Sequence, residues 1–158
     1  MKIIIGASRN YLIGSRVIQW WMRTNYSHIY VRWYLSSQER EIVYQASHGM
    51  VHFCSLENFT KDNTVVKEFI LEITDEQFKK FSQKSIDLAG EKYSKLELLQ
   101  IFLTDLSYGK LSFKDQNGYI CSELVCELLE DIGIVFKKPK YMMKPIDIVY
   151  ALEQYESK

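Results

Sequence analysis

Cys121 is the residue of this chain whose type and position are best suited to covalent chemistry. It begins a segment that predicts an amphipathic helix ending near Gly133, with apolar residues at helical spacing: Leu124, Val125, Leu128, Leu129 and Ile132. At a helix N-terminus the unpaired N–H groups and the helix dipole favour a thiolate over a thiol and can stabilise an oxyanion. Cys121 is therefore a candidate nucleophile. The alternative is a small apolar residue that fills the first turn of a buried helix.

A thiol nucleophile requires a base, and the chain offers three histidines: His28, His48 and His52. His28 is the best candidate because it opens a predicted strand at residues 27–35. Alternate residues of that strand share a face, and His28 lies on the more polar one, which suits the lining of a cleft. The alternative is an ordinary strand histidine that faces water or accepts a hydrogen bond.

A third group is needed to orient the imidazole, and Gln45 on the next predicted strand, residues 41–47, is suitably placed. Its amide oxygen can accept a hydrogen bond from one ring N–H and leave the other nitrogen to take the thiol proton. Glu41 and His48 are alternatives for this role. The alternative interpretation is that Gln45 is an ordinary polar residue on an exposed face of the sheet.

A metal centre is a weaker interpretation of the same region. His52 and Cys54 share a strand face and His48 is nearby, but a fourth zinc ligand is missing. We therefore expect neither a metal nor another cofactor.

Composition limits the classes of protein to which the chain can belong. Its 158 residues suffice for one domain, residues 1–158, and the net charge of zero argues against a nucleic-acid binder or a strongly polybasic membrane surface. The three cysteines form no C-x-x-C pair, which favours a reducing compartment. With no signal peptide or bilayer-spanning apolar run, we expect a cytoplasmic protein without an integral membrane segment. A phage-encoded origin and helper-dependent export stay open as alternatives. Its oligomeric state is open.

The elements that must position these residues follow an order typical of α+β proteins. Strands are predicted at residues 2–7, 27–35, 41–47, 50–56 and 65–73, the second and third forming an antiparallel hairpin. Helices are predicted at residues 13–23, 75–89, 96–106 and 146–155, besides the one that Cys121 begins. Thr74 caps the second of these, and Pro145 precedes the last. Residues 57–63 and 108–116 are predicted loops. The expected fold is an antiparallel sheet with helices packed on it.

Five short motifs occur in a recognisable order along the chain. They are Ser27-His28-Ile29-Tyr30-Val31, Val43-Tyr44-Gln45-Ala46 ahead of Gly49-Met50-Val51, Leu88-Ala89-Gly90-x-x-Tyr93, Tyr119-Ile120-Cys121-Ser122-Glu123-Leu124-Val125 and Lys144-Pro145-Ile146-Asp147-Ile148. The order resembles that of the circularly permuted papain-like cysteine hydrolases of the NlpC-type superfamily, in particular the YiiX-like group. In that group the histidine strand precedes the cysteine helix, as it does here. The resemblance runs from near Met1 to about Leu152.

The resemblance implies a role for each candidate residue. Cys121 would be the nucleophile, His28 the general base and Gln45 the orienting group. At the Gln45 position the group often has Glu or another polar residue, so Glu41 and His48 stay open as alternatives for the third member. Tyr26 and Tyr93 would line the substrate pocket, with core packing as the alternative for both. The implied activity is hydrolysis of a peptide-type amide, such as a cell-wall-type peptide, through a thioacyl intermediate. A lipid acyltransferase or thioesterase of the same fold, or a non-catalytic module that binds a peptide or protein, is the alternative.

Overall fold

The computed structural model of the protein describes residues 1–93, 101, 102, 104, 105 and 119–156. Within these residues five strands form one antiparallel sheet: β1 (Lys2–Arg9), β2 (His28–Leu35), β3 (Arg40–Ser47), β4 (Met50–Ser55) and β5 (Thr64–Glu72). Their spatial order is β4-β3-β2-β1-β5. Helices are α1 (Ile13–Met22), α2 (Leu56–Asp62), α3 (Asp75–Asp87), α4 (Cys121–Asp131) and α5 (Pro145–Glu156). The α+β prediction is confirmed.

The main core is built on α4. Its predicted apolar stripe is buried, and it packs against β2, where Ile29, Val31 and Trp33 alternate with more polar residues. The helix ends before Gly133, whose φ of 93° lies in the left-handed region that favours glycine. The sheet and α4 together therefore position the start of β2 close to the start of the Cys121 helix.

A smaller cluster lies apart from this core and consists of Tyr30, Val43 and Phe59. Phe59 is on α2, a helix in a segment predicted as a loop over residues 57–63, so that prediction is wrong. The Ser55 hydroxyl caps α2 by accepting a hydrogen bond from the Asn58 N–H, and the ring of Phe59 packs 4.4 Å from that of Tyr30. A helix this short depends on such tertiary contacts more than on its own propensity.

The remaining predicted elements are confirmed where the structure describes them. Thr74 and Gln77 form a capping box at the start of α3. Residues 101, 102, 104 and 105 are helical, in agreement with the predicted helix over 96–106, whose other residues lie outside the described part of the chain. The predicted loop over 108–116 also lies outside it. Among the helices of the described residues, none has both the length and the apolar character needed to cross a bilayer.

Candidate active site

His28 is the first residue of β2, and its imidazole is held by Gln45 of β3. The His28 Nε2–H donates to Oε1 of Gln45 at 2.8 Å. Burial lowers the pKa of His28 to about 4, although the hydrogen bond to Gln45 opposes this shift; His52 and His48 lower the pKa further. The ring is therefore neutral at neutral pH. With Nε2 protonated, Nδ1 is the nitrogen that can accept a proton.

Two residues of β4 contact the other end of the Gln45 amide. Its Nε2 lies 3.4 Å from Nε2 of His52 and donates to Sγ of Cys54 at 3.6 Å. His52 pairs directly with Gln45 in the β3–β4 register, and Cys54 lies two residues further along β4. Both contacts keep the amide oxygen turned toward His28. Strand parity shows that His52 and Cys54 share a face, but their contact with Gln45 depends on a register that the sequence does not specify.

The two alternatives to Gln45 have other partners. Glu41 forms an ion pair with Arg32, further along β2. His48 is exposed at the β3–β4 turn, with φ of 52°, and its Nδ1 lies 3.1 Å from the hydroxyl of Ser47. Of the three candidates for the orienting residue, Gln45 is the one that contacts His28.

Cys121 is the first residue of α4, as the sequence predicts, and only 6% of its surface is exposed. Burial raises the pKa of the Cys121 thiol to about 11, and the backbone N–H groups of Ile29, Ser122 and Cys121 itself offset only part of this effect. The N–H groups at the start of the helix favour the thiolate, as the sequence predicts, but removal of the sulfur from water outweighs them, so the thiol is protonated at neutral pH.

The same N–H groups locate the thiol relative to β2. Ile29 directly follows His28, so a hydrogen bond from its N–H to the sulfur places Cys121 beside the first residues of that strand. The Ile29 side chain belongs to the same core cluster as Cys121, whereas the His28 ring lies 6.4 Å from that of Phe59. The first residues of β2 thus lie beside Cys121, while the His28 ring is on the face of β2 that packs against Phe59, opposite to the Ile29 side chain.

The two tyrosines suggested as pocket residues lie in different surroundings. Tyr93 forms a parallel bridge with Tyr119, two residues before Cys121, and both burial and charge on Cys121 raise the pKa of Tyr93. Tyr26 is also buried, but its pKa is raised to about 12 by burial and then by Tyr150, Glu153 and Asp147. Tyr93 therefore lies near Cys121, while the charged neighbours of Tyr26 are on α5.

Comparison with known proteins identifies a similar fold. No family model matches the chain, and no curated protein matches it. Among solved structures, it is similar to the crystal structure of the metalloprotein yiiX from Escherichia coli O157:H7, with a TM-score of 0.60 and 18% sequence identity. The alignment covers 83% of this chain and 64% of that one, so the match includes less than two thirds of the yiiX chain. This similarity supports a YiiX-like relationship at the level of the fold.

The description of yiiX as a metalloprotein raises the question of a metal site here. Among the residues that the structure describes, no three His, Cys, Asp or Glu side chains come together in a way that could hold a metal ion. His52 and Cys54 instead contact the Gln45 amide. The donor set described here does not fit a metal centre, and we derive no chemical step through one.

Proposed function

We propose that this protein is a cysteine-dependent amide hydrolase in which Cys121 is the nucleophile, His28 the general base and Gln45 the residue that orients His28. The observation that carries the proposal is the 2.8 Å hydrogen bond between His28 Nε2 and Gln45 Oε1. It directs a neutral, half-buried imidazole so that Nδ1 is available as a base. The backbone N–H of Ile29, the residue after His28, hydrogen-bonds to the Cys121 sulfur, which supports a thiol placed at the start of the strand that carries the base.

The resting protonation states determine the proposed first step. Both the thiol and the imidazole are neutral, because burial raises the pKa of Cys121 to about 11 and lowers that of His28 to about 4. Proton transfer from Sγ to Nδ1 therefore accompanies attack of the sulfur on the carbonyl carbon. As the C–S bond forms, the carbonyl π electrons move to oxygen. The backbone N–H groups at the start of α4 supply hydrogen bonds that stabilise this oxyanion.

The remaining steps return the enzyme to its starting state. The tetrahedral intermediate collapses, the C–N bond breaks, and the imidazolium of His28 gives its proton to the departing amine. A water molecule then attacks the thioester, with His28 taking a proton from it. The C–S bond breaks, the carboxylic acid leaves, and the proton returns to the thiol. Peptide-type amides are the substrate class that the sequence resemblance favours; a lipid acyl group would follow the same steps to the thioacyl stage.

An activated ester tests the nucleophile without knowledge of the natural substrate. With p-nitrophenyl acetate we expect a burst of p-nitrophenolate equal in amount to the protein, and an acetyl group on the Cys121 peptide in mass spectra. Cys121→Ala abolishes both signals, and His28→Ala slows the burst by roughly a hundredfold or more. Cys126→Ala is the matched control, because Cys126 is a buried cysteine on the same helix.

Two outcomes would reject the hydrolase. One is acetylation of Cys54 in place of Cys121, and the other is a burst rate that His28→Ala leaves unchanged. Either result would favour a binding module that has this fold without catalysis. If Cys121 is acetylated, incubation with peptidoglycan stem peptides and, separately, with phospholipid vesicles then shows which acyl group accumulates on it.

A further inference from the structure

The outer face of α1 carries large apolar side chains that are exposed to solvent. Ile13, Val17 and Trp20 follow one another at i, i+4 and i+7, so they lie on one side of the helix. Ile13 is 81% exposed and Trp20 is 74% exposed. Tyr11 and Leu12, just before the helix, are exposed as well. Large aromatic and aliphatic residues concentrated in this way mark an interaction surface.

The opposite side of α1 is fixed to the body of the protein, which holds the apolar face outward. Ser15 and Met22 are buried, and the hydroxyls of Ser15 and Ser27 lie 2.5 Å apart. Trp21 packs edge-on against Phe102, with ring centroids 5.3 Å apart. The exposure of Ile13 and Trp20 is therefore a consequence of how the helix is anchored.

Positive charge accompanies these apolar residues. Arg9, Arg16 and Arg23 are exposed beside or on α1, and residues 1–38 contain no Asp or Glu at all. The chain as a whole has a net charge of zero, so its basic and acidic residues are unevenly distributed. Within the described residues, none of these three arginines forms an ion pair with a carboxylate.

We propose that this surface, the α1 patch, binds the surface of an anionic lipid bilayer, with α1 lying in the plane of the interface. The patch consists of Arg9, Tyr11, Leu12, Ile13, Arg16, Val17, Trp20 and Arg23. Exposed Trp and aliphatic side chains enter the boundary between headgroups and acyl chains, and nearby arginines contact lipid phosphates and carboxylates. Charge complementarity favours an anionic bilayer, because three exposed arginines flank the apolar residues and residues 1–38 contain no acid. Asp105, which lines a cavity together with Trp20 and Arg23, is already paired with Lys144 at 2.7 Å. The inference is independent of the proposed hydrolase activity.

Co-sedimentation with vesicles tests the proposal directly. The wild-type protein is expected to bind vesicles of phosphatidylcholine with phosphatidylserine, to bind those of phosphatidylcholine alone much less, and to dissociate as salt is added. The double variant Ile13→Ser/Trp20→Ser should weaken partitioning by roughly tenfold or more. Arg16→Gln and Arg23→Gln should each weaken it about fivefold. The matched control is Ile86→Ser, which removes an apolar residue that is 63% exposed on α3.

Tryptophan fluorescence identifies the residue that enters the bilayer, and circular dichroism tests whether each variant is folded. Anionic vesicles should shift the tryptophan emission of the wild type to shorter wavelength, and Trp20→Phe should remove most of that shift while the protein still binds. Circular dichroism melts of each variant confirm that it is folded. Failure to bind anionic vesicles at low salt would overturn the proposal, as would equal binding by Ile13→Ser/Trp20→Ser. A third outcome would also overturn the proposal: the wild type does not bind lipid but dimerises as its concentration rises, and Ile13→Ser/Trp20→Ser abolishes that dimerisation. This result would assign the α1 patch to contact with a second copy of the chain.

Discussion

The Nε2 atom of His28 and the Oε1 atom of Gln45 lie 2.8 Å apart on adjacent strands, and Gln45 is a buried side chain with no charge of its own. A neutral amide can orient the imidazole but cannot stabilise its protonated form as a carboxylate would. Burial lowers the pKa of His28 to about 4, and the hydrogen bond to Gln45 offsets only part of that shift.

Gln45→Glu should raise the pKa of His28, because an ionised carboxylate next to the ring favours the imidazolium. An opposite charge at this distance shifts a pKa by roughly one unit or more. Long-range proton–nitrogen NMR of the ring nitrogens measures this pKa and also reports whether Nε2 carries the proton in the wild type. The matched variant Gln45→Leu removes the acceptor without adding charge and should not raise the pKa. A wild-type ring protonated on Nδ1 would contradict the assigned hydrogen bond.

The half-buried His28 also makes the free energy of unfolding depend on pH. Its pKa is about 4 in the folded protein and about 6.5 when unfolded. Between these values the unfolded chain binds more protons, so the free energy of unfolding rises with pH. The contribution is fully present above pH 6.5 and is lost as pH falls to 4, with an upper limit of about 3 kcal/mol. Urea titrations of the wild type and His28→Gln across this range should show a shallower pH dependence in the variant.

The exposed His48 provides the control for this measurement. His48→Gln removes an imidazole at the β3–β4 turn and should change the pH dependence only slightly, because His48 is the smallest of the causes that lower the pKa of His28. If the His28→Gln and wild-type curves run parallel from pH 6.5 to 4, the neutral His28 imidazole is not the cause of acid destabilisation.

The hairpin explains why part of this site can be predicted from sequence. The alternation of apolar and polar residues over 27–35 and 41–47 predicts two paired strands. A polar residue on one strand then lies next to a polar residue on the other. The position of Cys121 at a helix start follows from the periodicity after it. The raised pKa of the Cys121 thiol does not follow from that periodicity, because burial of the sulfur depends on packing between α4 and β2.

Two other features depend on contacts that no local pattern specifies. The sequence pattern does not predict the α2 helix, because Phe59 becomes buried only when it packs against Tyr30 of β2, a strand far from it in sequence. Arg32 and Glu68 are 36 residues apart, and their contact requires β1 to lie between β2 and β5. Neither Arg32 nor Glu68 belongs to a sequence motif that would predict this contact. The register of the whole sheet is needed to bring the two side chains together.

Loss of Glu68 should destabilise the protein substantially. Arg32 donates to both carboxylate oxygens of Glu68 at 2.8 Å, and the Arg32 side chain is only 13% exposed. Glu68→Ala leaves that guanidinium partly buried with Glu41 as its remaining ion-pair partner, and we expect a loss of about 2 to 4 kcal/mol in the free energy of unfolding. Chemical denaturation measures it.

Glu72 is the matched control on the same strand. It pairs with Lys2 at 3.3 Å, and both side chains are well exposed, so Glu72→Ala should cost less than about 1 kcal/mol. Equal losses for Glu68→Ala and Glu72→Ala would show that the Arg32 network adds nothing beyond an ordinary surface ion pair.

Gly6 lies between Tyr30 and Glu68 in the sheet, paired with one on β2 and with the other on β5. The ring of Tyr30 crosses over Gly6, and its hydroxyl donates to Glu68 at 2.7 Å. A Cβ at Gly6 would overlap Cζ and the hydroxyl of Tyr30, a fully buried residue. Gly6→Ala should therefore lower the free energy of unfolding by about 2 kcal/mol or more, since the Tyr30 ring must leave its position and lose its hydrogen bond.

Gly14→Ala is the opposite case and serves as the control. Gly14 is inside α1, and no atom lies within 4 Å of the added Cβ. We expect the free energy of unfolding to rise by about 0.5 to 1 kcal/mol. Thermal and urea denaturation of both variants distinguish the two effects. A neutral Gly6→Ala would mean that the Tyr30 ring does not lie over β1, and the Tyr30–Glu68 hydrogen bond would have to be abandoned with it.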